Sequence, residues 1–173
     1  MQEQAMQFPE FAIRRLEPGR DTALFREIRL ESLRKSPDSF GSDLASENGR
    51  PEEWFAERLT TSDVLGAFHG EELLGIAGFQ VGQTAKRAHV GTLWAVYVRP
   101  KARSAGVARR LVEAVLEHAR GRVEKVNLTV DRQNMHARRL YASLGFVEFG
   151  LEKNALKVGD RYLDDVLMTR QLA

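Results

Sequence analysis

The amino-acid sequence predicts a mixed α/β sandwich, in which helices pack against one central sheet. Short apolar runs rich in β-branched and aromatic residues alternate with segments whose apolar residues recur at helical spacing. Three predicted strands follow one another before the central helix, which argues against a doubly wound sheet. With 173 residues, 43% of them hydrophobic and 29% charged, the chain has the size and composition of one globular domain spanning residues 1–173.

The first third of the chain is predicted to form a strand and two helices. Asp21 is a candidate N-cap of the first helix, because its side chain can accept a hydrogen bond from a first-turn amide. Pro51 suits the first turn of the second helix. The polar stretch between them, which holds Phe40, is expected to be a long ordered loop. The predicted elements are a strand at 12–16, a helix from 21 that stops before Ser36-Pro37, a loop at 37–50, and a helix from 51 through Phe55 to Leu59.

The rest of the chain is predicted to form six strands and two helices. His69-Gly70-Glu71-Glu72 separates two apolar runs, which is typical of a hairpin turn. Val107, Leu111 and Val115 recur at helical spacing, and Gly145 is the expected C-cap of the last helix. The predicted strands are 64–68, 73–81, 88–98, 125–130, 146–151 and 162–169, and the helices cover 107–119 and 137–144.

Composition excludes several classes of protein. The chain has no cysteine, which rules out a disulfide scaffold, a cysteine nucleophile and a thiolate metal site, and no metal is expected. No apolar run approaches the roughly 20 residues of a membrane span. Residues 1–15 lack a basic segment followed by an apolar core, so no secretory leader is expected. A cytoplasmic enzyme or binding protein without a membrane partner is the remaining prediction.

Charge is unevenly distributed along the chain, although the net charge is only +2. Residues 1–98 hold 11 basic and 15 acidic side chains, residues 99–139 hold 11 and 4, and residues 140–173 hold 4 and 5. A cationic centre between anionic flanks indicates an anionic ligand bound locally. Nucleic acid is not the expected ligand, because no basic stretch is interleaved with aromatic residues for base stacking.

A basic turn with small residues follows the predicted strand 88–98. It opens an amphipathic helix, whose free first-turn amides and positive potential form an anion site. Gly106 and Ala108 allow an anion to approach the backbone, and Arg103 and Arg109 can add charge-assisted hydrogen bonds to a diphosphate. The alternative is an ordinary solvated helix start. Neither a dinucleotide-binding GxGxxG nor a P-loop is present.

This turn resembles motif A of the GNAT acyl-CoA N-acetyltransferase superfamily, [Arg/Gln]-x-x-Gly-x-[Gly/Ala], written here as Arg103-Ser104-Ala105-Gly106-Val107-Ala108. Residues 128–146, with Asn134, Tyr141 and Gly145-Phe146, resemble motif B, and Tyr162–Met168 is similar to the last strand of the family. The order and separations match over roughly residues 60–170. Ser36–Gly41 resembles one subgroup less specifically. The implied fold is a mixed, mostly antiparallel sheet flanked by helices, with the fourth and fifth strands splayed apart.

The resemblance implies acetyl-CoA as co-substrate. Its pantetheine arm would pair with the fourth strand at Val96, Tyr97 and Val98, where a backbone amide would also face the thioester oxygen. Asn134 would contact the arm, with a helix N-cap as its other role. Arg138 and Arg139 either reach the phosphates or lie on a solvated helix face. The residues assigned to the diphosphate are Arg103, Ser104, Ala105, Gly106, Val107, Ala108 and Arg109.

The resemblance also implies a chemistry, in which a neutral amine attacks acetyl-CoA and a thiolate departs. Tyr141 is the implied general acid that protonates the thiolate. From the residues alone, the position of Tyr141 on the apolar face of its helix favours a core aromatic, and only the resemblance favours the general acid. Many members use a glutamate of the fourth strand as base, and Thr92 stands at that position here. His89 and Glu47 remain as candidate bases, and an amine that arrives neutral needs none.

The acceptor pocket is expected between the front helices and the strand that faces them. Phe40, Trp54, Trp94 and Tyr162 are candidates for its walls. Glu47 and Asp43 are candidates for attracting a cationic amine.

The predicted function is N-acetyl transfer to a primary amine, belonging to a small metabolite, a polyamine, an antibiotic or a protein. A weakly catalytic acyl-CoA-binding sensor of the same fold is the alternative, since Thr92 replaces the glutamate. A homodimer is an open prediction that rests on the resemblance alone.

Overall fold

A computed structural model describes residues 10–172 of the chain. It contains seven strands and five helices in the described range, together with short 3₁₀ turns. The strands are β1 (Ala12–Arg15), β2 (Asp63–His69), β3 (Glu72–Val81), β4 (Val90–Val98), β5 (Lys125–Asp131), β6 (Val147–Val158) and β7 (Arg161–Gln171). The helices are α1 (Thr22–Lys35), α2 (Leu44–Asn48), α3 (Glu52–Thr61), α4 (Val107–Ala119) and α5 (Met135–Ser143).

The strands form one sheet with the order β1-β2-β3-β4-β5-β7-β6. All neighbours are antiparallel except β4 and β5, which are parallel. Only three residues of β4 pair with β5, from Val90 opposite Lys125 to Thr92 opposite Asn127. Both strands continue beyond this point, so a wedge-shaped gap opens between them. The mixed α/β sheet with splayed fourth and fifth strands is therefore confirmed.

Two apolar clusters cover the two faces of the sheet. On one face, α4 packs its apolar stripe, including Leu111 and Val115, against β2, β3 and β4. On the other face, α1 and α3 contribute Phe25, Ile28 and Phe55, which are fully buried. The gap between β4 and β5 is thus reached from both faces of the sheet, between two separate sets of helices.

The predicted loop at 37–50 is wrong in part, because the segment contains a 3₁₀ turn at Pro37–Ser39 and the five-residue helix α2. Asp43 caps α2 by accepting a 2.8 Å hydrogen bond from the Ser46 amide. Asp21 does stand at the N-cap position of α1, but its side chain makes no capping bond. Its carboxylate instead binds Arg14 at 2.8 and 2.9 Å, which ties β1 to the start of α1.

Other predicted boundaries differ by a few residues, and β6 differs most. It was predicted to end at residue 151 and runs to Val158, paired with β7 through two register shifts. The extra length begins with the polar, exposed residues Glu152, Lys153 and Asn154, which interrupt the apolar pattern before Ala155, Leu156 and Val158. Residues 1–9, on which part of the leader prediction rests, lie outside the described residues. No helix within 10–172 is long and apolar enough to cross a membrane.

Candidate active site

A β-bulge interrupts β4 beside the gap. Tyr97 lies opposite Ile76 of β3 and Trp94 lies opposite Gly78, so Ala95 and Val96 together face a single residue of β3. Ala95 has φ of +52°, a conformation that a non-glycine residue rarely adopts. Bulges of this kind re-aim the backbone and side chains of a strand locally. Here the bulge stands where β4 has already left β5.

The basic turn at the end of β4 leads into α4. Ser104 has φ of +64° and Gly106 has φ of +79°, and a Cβ built at Gly106 would meet nothing within 4 Å. Residues with positive φ so close together in a turn direct neighbouring backbone amides to the same side. The first intrahelical hydrogen bond of α4 runs from the Arg110 amide to the carbonyl of the N-cap residue Gly106, at 3.1 Å. The amides of Val107, Ala108 and Arg109 precede it and, as in any helix start, have no intrahelical acceptor.

A cleft of about 620 Å³ connects this turn to the bulge and to α5. Eleven of the twelve residues predicted to bind the cofactor line it. They are Val96, Tyr97, Val98, Arg103, Ser104, Gly106, Val107, Ala108, Arg109, Asn134 and Tyr141. Ala105 does not line the cleft, because its side chain packs against the core beneath the turn.

Arg103 and Arg109 make the turn end of the cleft cationic. Arg103 donates from Nε to the Val98 carbonyl at 3.1 Å, which leaves its outer nitrogens for other partners. Arg109 donates to the Ser143 hydroxyl at 2.6 Å and lies 4.0 Å from Glu113. Arg138 is engaged elsewhere, since it binds Glu148 at 2.7 Å.

Tyr141 is held on α5 with its side chain only 8% exposed. It contacts Phe146 edge-on, with ring centroids 5.9 Å apart, and it also lines the cleft. The packing role and the functional position therefore coexist. Burial raises the pKa of Tyr141 to about 12. Its hydroxyl consequently stays protonated, and able to donate, over the range in which most enzymes work.

Asn134 occupies the N-cap of α5, where its Oδ1 accepts a 3.1 Å hydrogen bond from the Ala137 amide. The predicted capping role is confirmed. Asn134 also lines the cleft, so the residue that caps α5 borders the space assigned to the cofactor.

Tyr97 and Glu31 lie close to each other behind the bulge. The Tyr97 Oη and the Glu31 Oε2 are both buried, and the Glu31 carboxylate is the polar group that acts on the Tyr97 hydroxyl. The other oxygen of Glu31 accepts a 3.0 Å bond from Arg99. Burial, and then the Glu31 carboxylate, raise the pKa of Tyr97.

The predicted acceptor residues separate into two groups. Phe40 and Trp94 line the cleft, together with Ser36 and Ser39. Glu47, Trp54 and Tyr162 do not line it. Tyr162 is 57% exposed on β7. Glu47 is buried in α2, where both carboxylate oxygens bind Arg29 at 3.0 Å.

The candidate bases are not placed for the role. His89 is exposed in the turn before β4, at the end of the strand remote from the bulge, and its carbonyl accepts from the Glu124 amide. Glu47 is already paired with Arg29. Thr92 is exposed, carries no titratable group and does not line the cleft.

Several lining residues were missed by the sequence analysis. Ser36 and Ser39 close the cleft from the end of α1, and His136 reaches it from the first turn of α5. The motif Ser36–Gly41 was the available signal for the serines. His136 sits two residues after Asn134, inside a recognised motif, but its residue type carried no separate signal. Within residues 10–172 no group of three or more His, Asp or Glu side chains is arranged to hold a metal ion.

The protein-family model described as the acetyltransferase (GNAT) family matches residues 25–146. Among curated proteins, mycothiol acetyltransferase of Thermobispora bispora is 31% identical over 156 residues, which cover 86% of this chain and 50% of that protein. The corresponding protein of Stackebrandtia nassauensis is 31% identical over 82% of this chain and 46% of its own length. The chain thus spans about half the length of these relatives.

Solved structures give the same family. A GNAT-family acetyltransferase from Streptococcus pneumoniae superposes with a TM-score of 0.82 and 25% identity, covering 95% of this chain and 100% of that one. A putative acetyltransferase from Salmonella typhimurium, solved with its cofactor acetyl-CoA, has a TM-score of 0.82 and 22% identity, covering 95% of each chain. The family model covers well over half of the chain, and the structural likeness extends through nearly all of it. This chain therefore belongs to the acetyltransferase (GNAT) family, whose co-substrate is acetyl-CoA.

Proposed function

We propose that this chain transfers the acetyl group of acetyl-CoA to a primary amine by direct attack, as one domain. The observation that carries the proposal is the single cleft that joins the basic turn, the β4 bulge and Tyr141. An anion site, a break in the sheet and a buried proton donor are the parts that this reaction needs. Their convergence supports transfer more strongly than any one of them.

The residues present fit acetyl-CoA. The positive-φ turn at Ser104 and Gly106, with the amides that follow, suits a diphosphate, and Arg103 and Arg109 add positive charge. The open space at Gly106 leaves room for a phosphate to approach the backbone. Backbone groups of β4 beyond Thr92 are released from β5, so they are available to an extended, amide-bearing ligand. Bound acetyl-CoA supplies an activated acyl group.

The proposed reaction forms a bond from the amine nitrogen to the acyl carbon and breaks the carbon–sulfur bond. The amine loses one proton to water, and the departing thiolate gains one from Tyr141, which then recovers a proton from water. Tyr141 donates to that sulfur, because its raised pKa keeps the hydroxyl protonated beside the cleft. We assign no dedicated base, since Thr92, His89 and Glu47 are not placed for it. The amine then enters as its neutral fraction, and we expect the rate to rise with pH toward the pKa of the acceptor.

The names of the curated relatives point to a small-molecule acceptor rather than a protein amino group. Phe40 and Trp94, which line the acceptor end of the cleft, favour an acceptor with an apolar portion. The second candidate function is an acyl-CoA sensor without turnover, which is favoured only by Thr92 at the position of the usual glutamate.

The test begins with calorimetric titration of acetyl-CoA and CoA, followed by thiol release with a panel of amines. We expect micromolar binding, and a loss of kcat of about 10²- to 10⁴-fold for Tyr141→Phe with acetyl-CoA affinity retained. Tyr162→Phe is the matched control, because it removes an exposed hydroxyl outside the cleft. Binding without turnover for every amine would favour the sensor. Unchanged kcat in Tyr141→Phe would refute the assignment of the acid.

A further inference from the structure

The cleft has a front half, on the face of the sheet that α1 and α3 cover, and a back half on the face of α4 and α5. Leu128 and Val130 of β5 are buried in the cluster around α4. Because side chains alternate along a strand, Thr129 and Asp131 point to the opposite face, which is that of α1 and α3. Asp131 lines the cleft, so its carboxyl group belongs to the front half.

The other residues of the front half come from α1, the turn that follows it, and β4. Phe40 and Trp94 line the cleft and pack against the apolar cluster of α1 and α3. Ser36 and Ser39 line it too, and the 3₁₀ turn Pro37–Ser39 contacts both α1 and β5. The front half thus offers two aromatic rings and two hydroxyl groups around a carboxylate.

Asp131 is the only carboxylate among the cleft residues in the described part of the chain, and it has no counter-ion there. Its Oδ1 accepts a 3.1 Å hydrogen bond from the Gln133 amide, which leaves Oδ2 for another donor. Neither Asp131 nor Asp165 forms an ion pair within residues 10–172, and the neighbouring Arg132 lies 3.5 Å from Asp164 instead. One side of the cleft therefore carries negative charge that no basic side chain neutralises.

Asp165 adds to this negative charge from the next strand. The register of β5 and β7 places Asp165 directly opposite Asp131, and side chains of opposite residues lie on the same face. Burial raises the pKa of Asp165, and the charges of Asp131 and two further carboxylates raise it more. Two like charges in adjacent positions are unfavourable, and a cation bound beside them relieves the repulsion.

We propose that Asp131 determines acceptor specificity by binding an ammonium group of the acceptor, separate from the amine that reacts. A carboxylate stabilises the protonated form of a nearby amine, and a protonated amine cannot attack the thioester, so the group held at Asp131 is a second one. The acceptor is then a diamine. Its alkyl chain packs against Phe40 and Trp94, and its neutral nitrogen reaches the gap between β4 and β5. This inference rests on the proposed function and specifies its substrate.

This assignment replaces the expectation that Glu47 and Asp43 attract a cationic amine. Both oxygens of Glu47 are bound by Arg29, and Asp43 caps α2 through the Ser46 amide. Neither residue lines the cleft. Asp131 was not a sequence candidate, because a single aspartate at the end of a strand has the pattern of an ordinary turn residue.

The first experiment compares acceptors of equal length that differ in their distal charge. Cadaverine, 5-amino-1-pentanol and 5-aminopentanoate are assayed by thiol release, and so are putrescine and 4-amino-1-butanol. The rates are compared at equal concentration of neutral amine, because the distal group changes the pKa of the amine. We expect kcat/KM to be about 10- to 100-fold higher for the diamine than for the amino alcohol, and lowest for the amino acid. An amino alcohol or amino acid that is as good as the diamine would overturn the proposal.

Asp131→Asn tests the residue itself. Asparagine keeps an oxygen that can accept from the Gln133 amide, so the turn is retained while the charge is removed. We expect KM for the diamine to rise about tenfold or more, with the amino alcohol changed less than about twofold. Glu124→Gln is the matched control, because Glu124 is an exposed carboxylate just before the other end of β5 and outside the cleft. Equal losses with diamine and amino alcohol in Asp131→Asn would refute the specificity role.

A binding measurement separates this inference from the proposed function. N-acetylcadaverine, which keeps one ammonium group, and N-acetyl-5-amino-1-pentanol are titrated calorimetrically in the presence of CoA. We expect the cation to bind about tenfold more tightly, and Asp131→Asn to abolish the difference. Turnover of amines with no preference for the cation would refute the inference alone. Preferential binding of the cation without turnover of any amine would refute the transfer function and leave the cation site standing.

Discussion

The two walls of the cleft are built in different ways. The cofactor wall, made of Val96–Val98, the turn 103–109, Asn134 and Tyr141, uses backbone conformation and comes mostly from one run of sequence. The acceptor wall, made of Ser36, Ser39, Phe40 and Trp94, uses side chains from separate segments of the chain, and the Arg29–Glu47 ion pair lies behind Phe40 and Trp94. In the proposed function, the backbone binds the part that all acyl-CoA molecules share, and the side chains select among acceptors. A substitution is therefore expected to act through conformation and access on the first wall, and through charge on the second.

The largest effect is expected at the cofactor wall, for Gly106→Glu. A non-glycine residue is strained at φ of +79°, and the added carboxylate meets the diphosphate, where like charges cost several kcal/mol. We expect acetyl-CoA affinity to fall by about a thousandfold, measured by calorimetry. Gly121→Glu is the control, because Gly121 has φ of +73° and open space at the other end of α4. An equal loss of affinity in both variants would show a folding defect rather than a ligand contact.

Behind the acceptor wall, the largest effect is expected for Glu47→Gln. The substitution leaves the Arg29 charge enclosed and uncompensated, so the free energy of unfolding should fall by about 3 kcal/mol in urea titrations. Glu57→Gln, on the exposed side of α3, should change it by less than about 0.5 kcal/mol. The double variant Arg29→Met/Glu47→Leu should regain most of the loss. If the single variant is as stable as the parent, the pair is not a structural element of this wall.

The buried Tyr141 of the cofactor wall should make the free energy of unfolding depend on pH. Its pKa of about 12 in the folded state lies above the ordinary value of 10, so the folded state binds this proton more tightly. The contribution to stability is complete below pH 10 and is lost as pH rises from 10 to 12. At pH 11 the loss is about 1.4 kcal/mol relative to Tyr141→Phe, measured as the difference between the two unfolding free energies at pH 9 and pH 11. If the free energies of unfolding of the parent and of Tyr141→Phe change with pH in parallel, the Tyr141 hydroxyl is exposed to water in the folded state.

The smallest effect on stability is expected for substitutions of Asn134. They distinguish its role as the helix cap from a contact with the ligand. Asn134→Ala removes the cap of α5 and should lower the free energy of unfolding by about 1 kcal/mol. Asn134→Ser retains a capping oxygen and should restore the stability. If the amide also touches the cofactor arm, acetyl-CoA affinity stays reduced in both variants. Full affinity in Asn134→Ser would leave capping as the only role.

The difference between the two walls also explains which parts of the fold and of the site the sequence could predict. The periodicities of α1, α4 and the central strands determine the order of the elements, because their buried faces are continuous. The turn 103–109 was recognisable, since its residues are consecutive and backbone conformation constrains their types. Helix α2 was missed because five residues carry no periodicity, and only the cap at Asp43 distinguishes it. Arg29 was missed for a physical reason: an arginine beside Ile28 on a helix has the pattern of a solvated face until Glu47 folds over it.

The gap between β4 and β5 has a mechanical consequence. β5 is joined to β4 by three residue pairs and to β7 by seven. The sheet therefore has two parts, β1-β2-β3-β4 and β5-β7-β6, which are joined only by the short pairing of β4 with β5. If acetyl-CoA binds in this gap as proposed, it connects the two parts of the sheet and stiffens them relative to each other. Amide hydrogens of β4 beyond Thr92 and of β5 beyond Asn127 should then exchange more slowly with solvent when acetyl-CoA is present. In the proposed function, the co-substrate is therefore also a structural link between the two parts of the sheet that bind it.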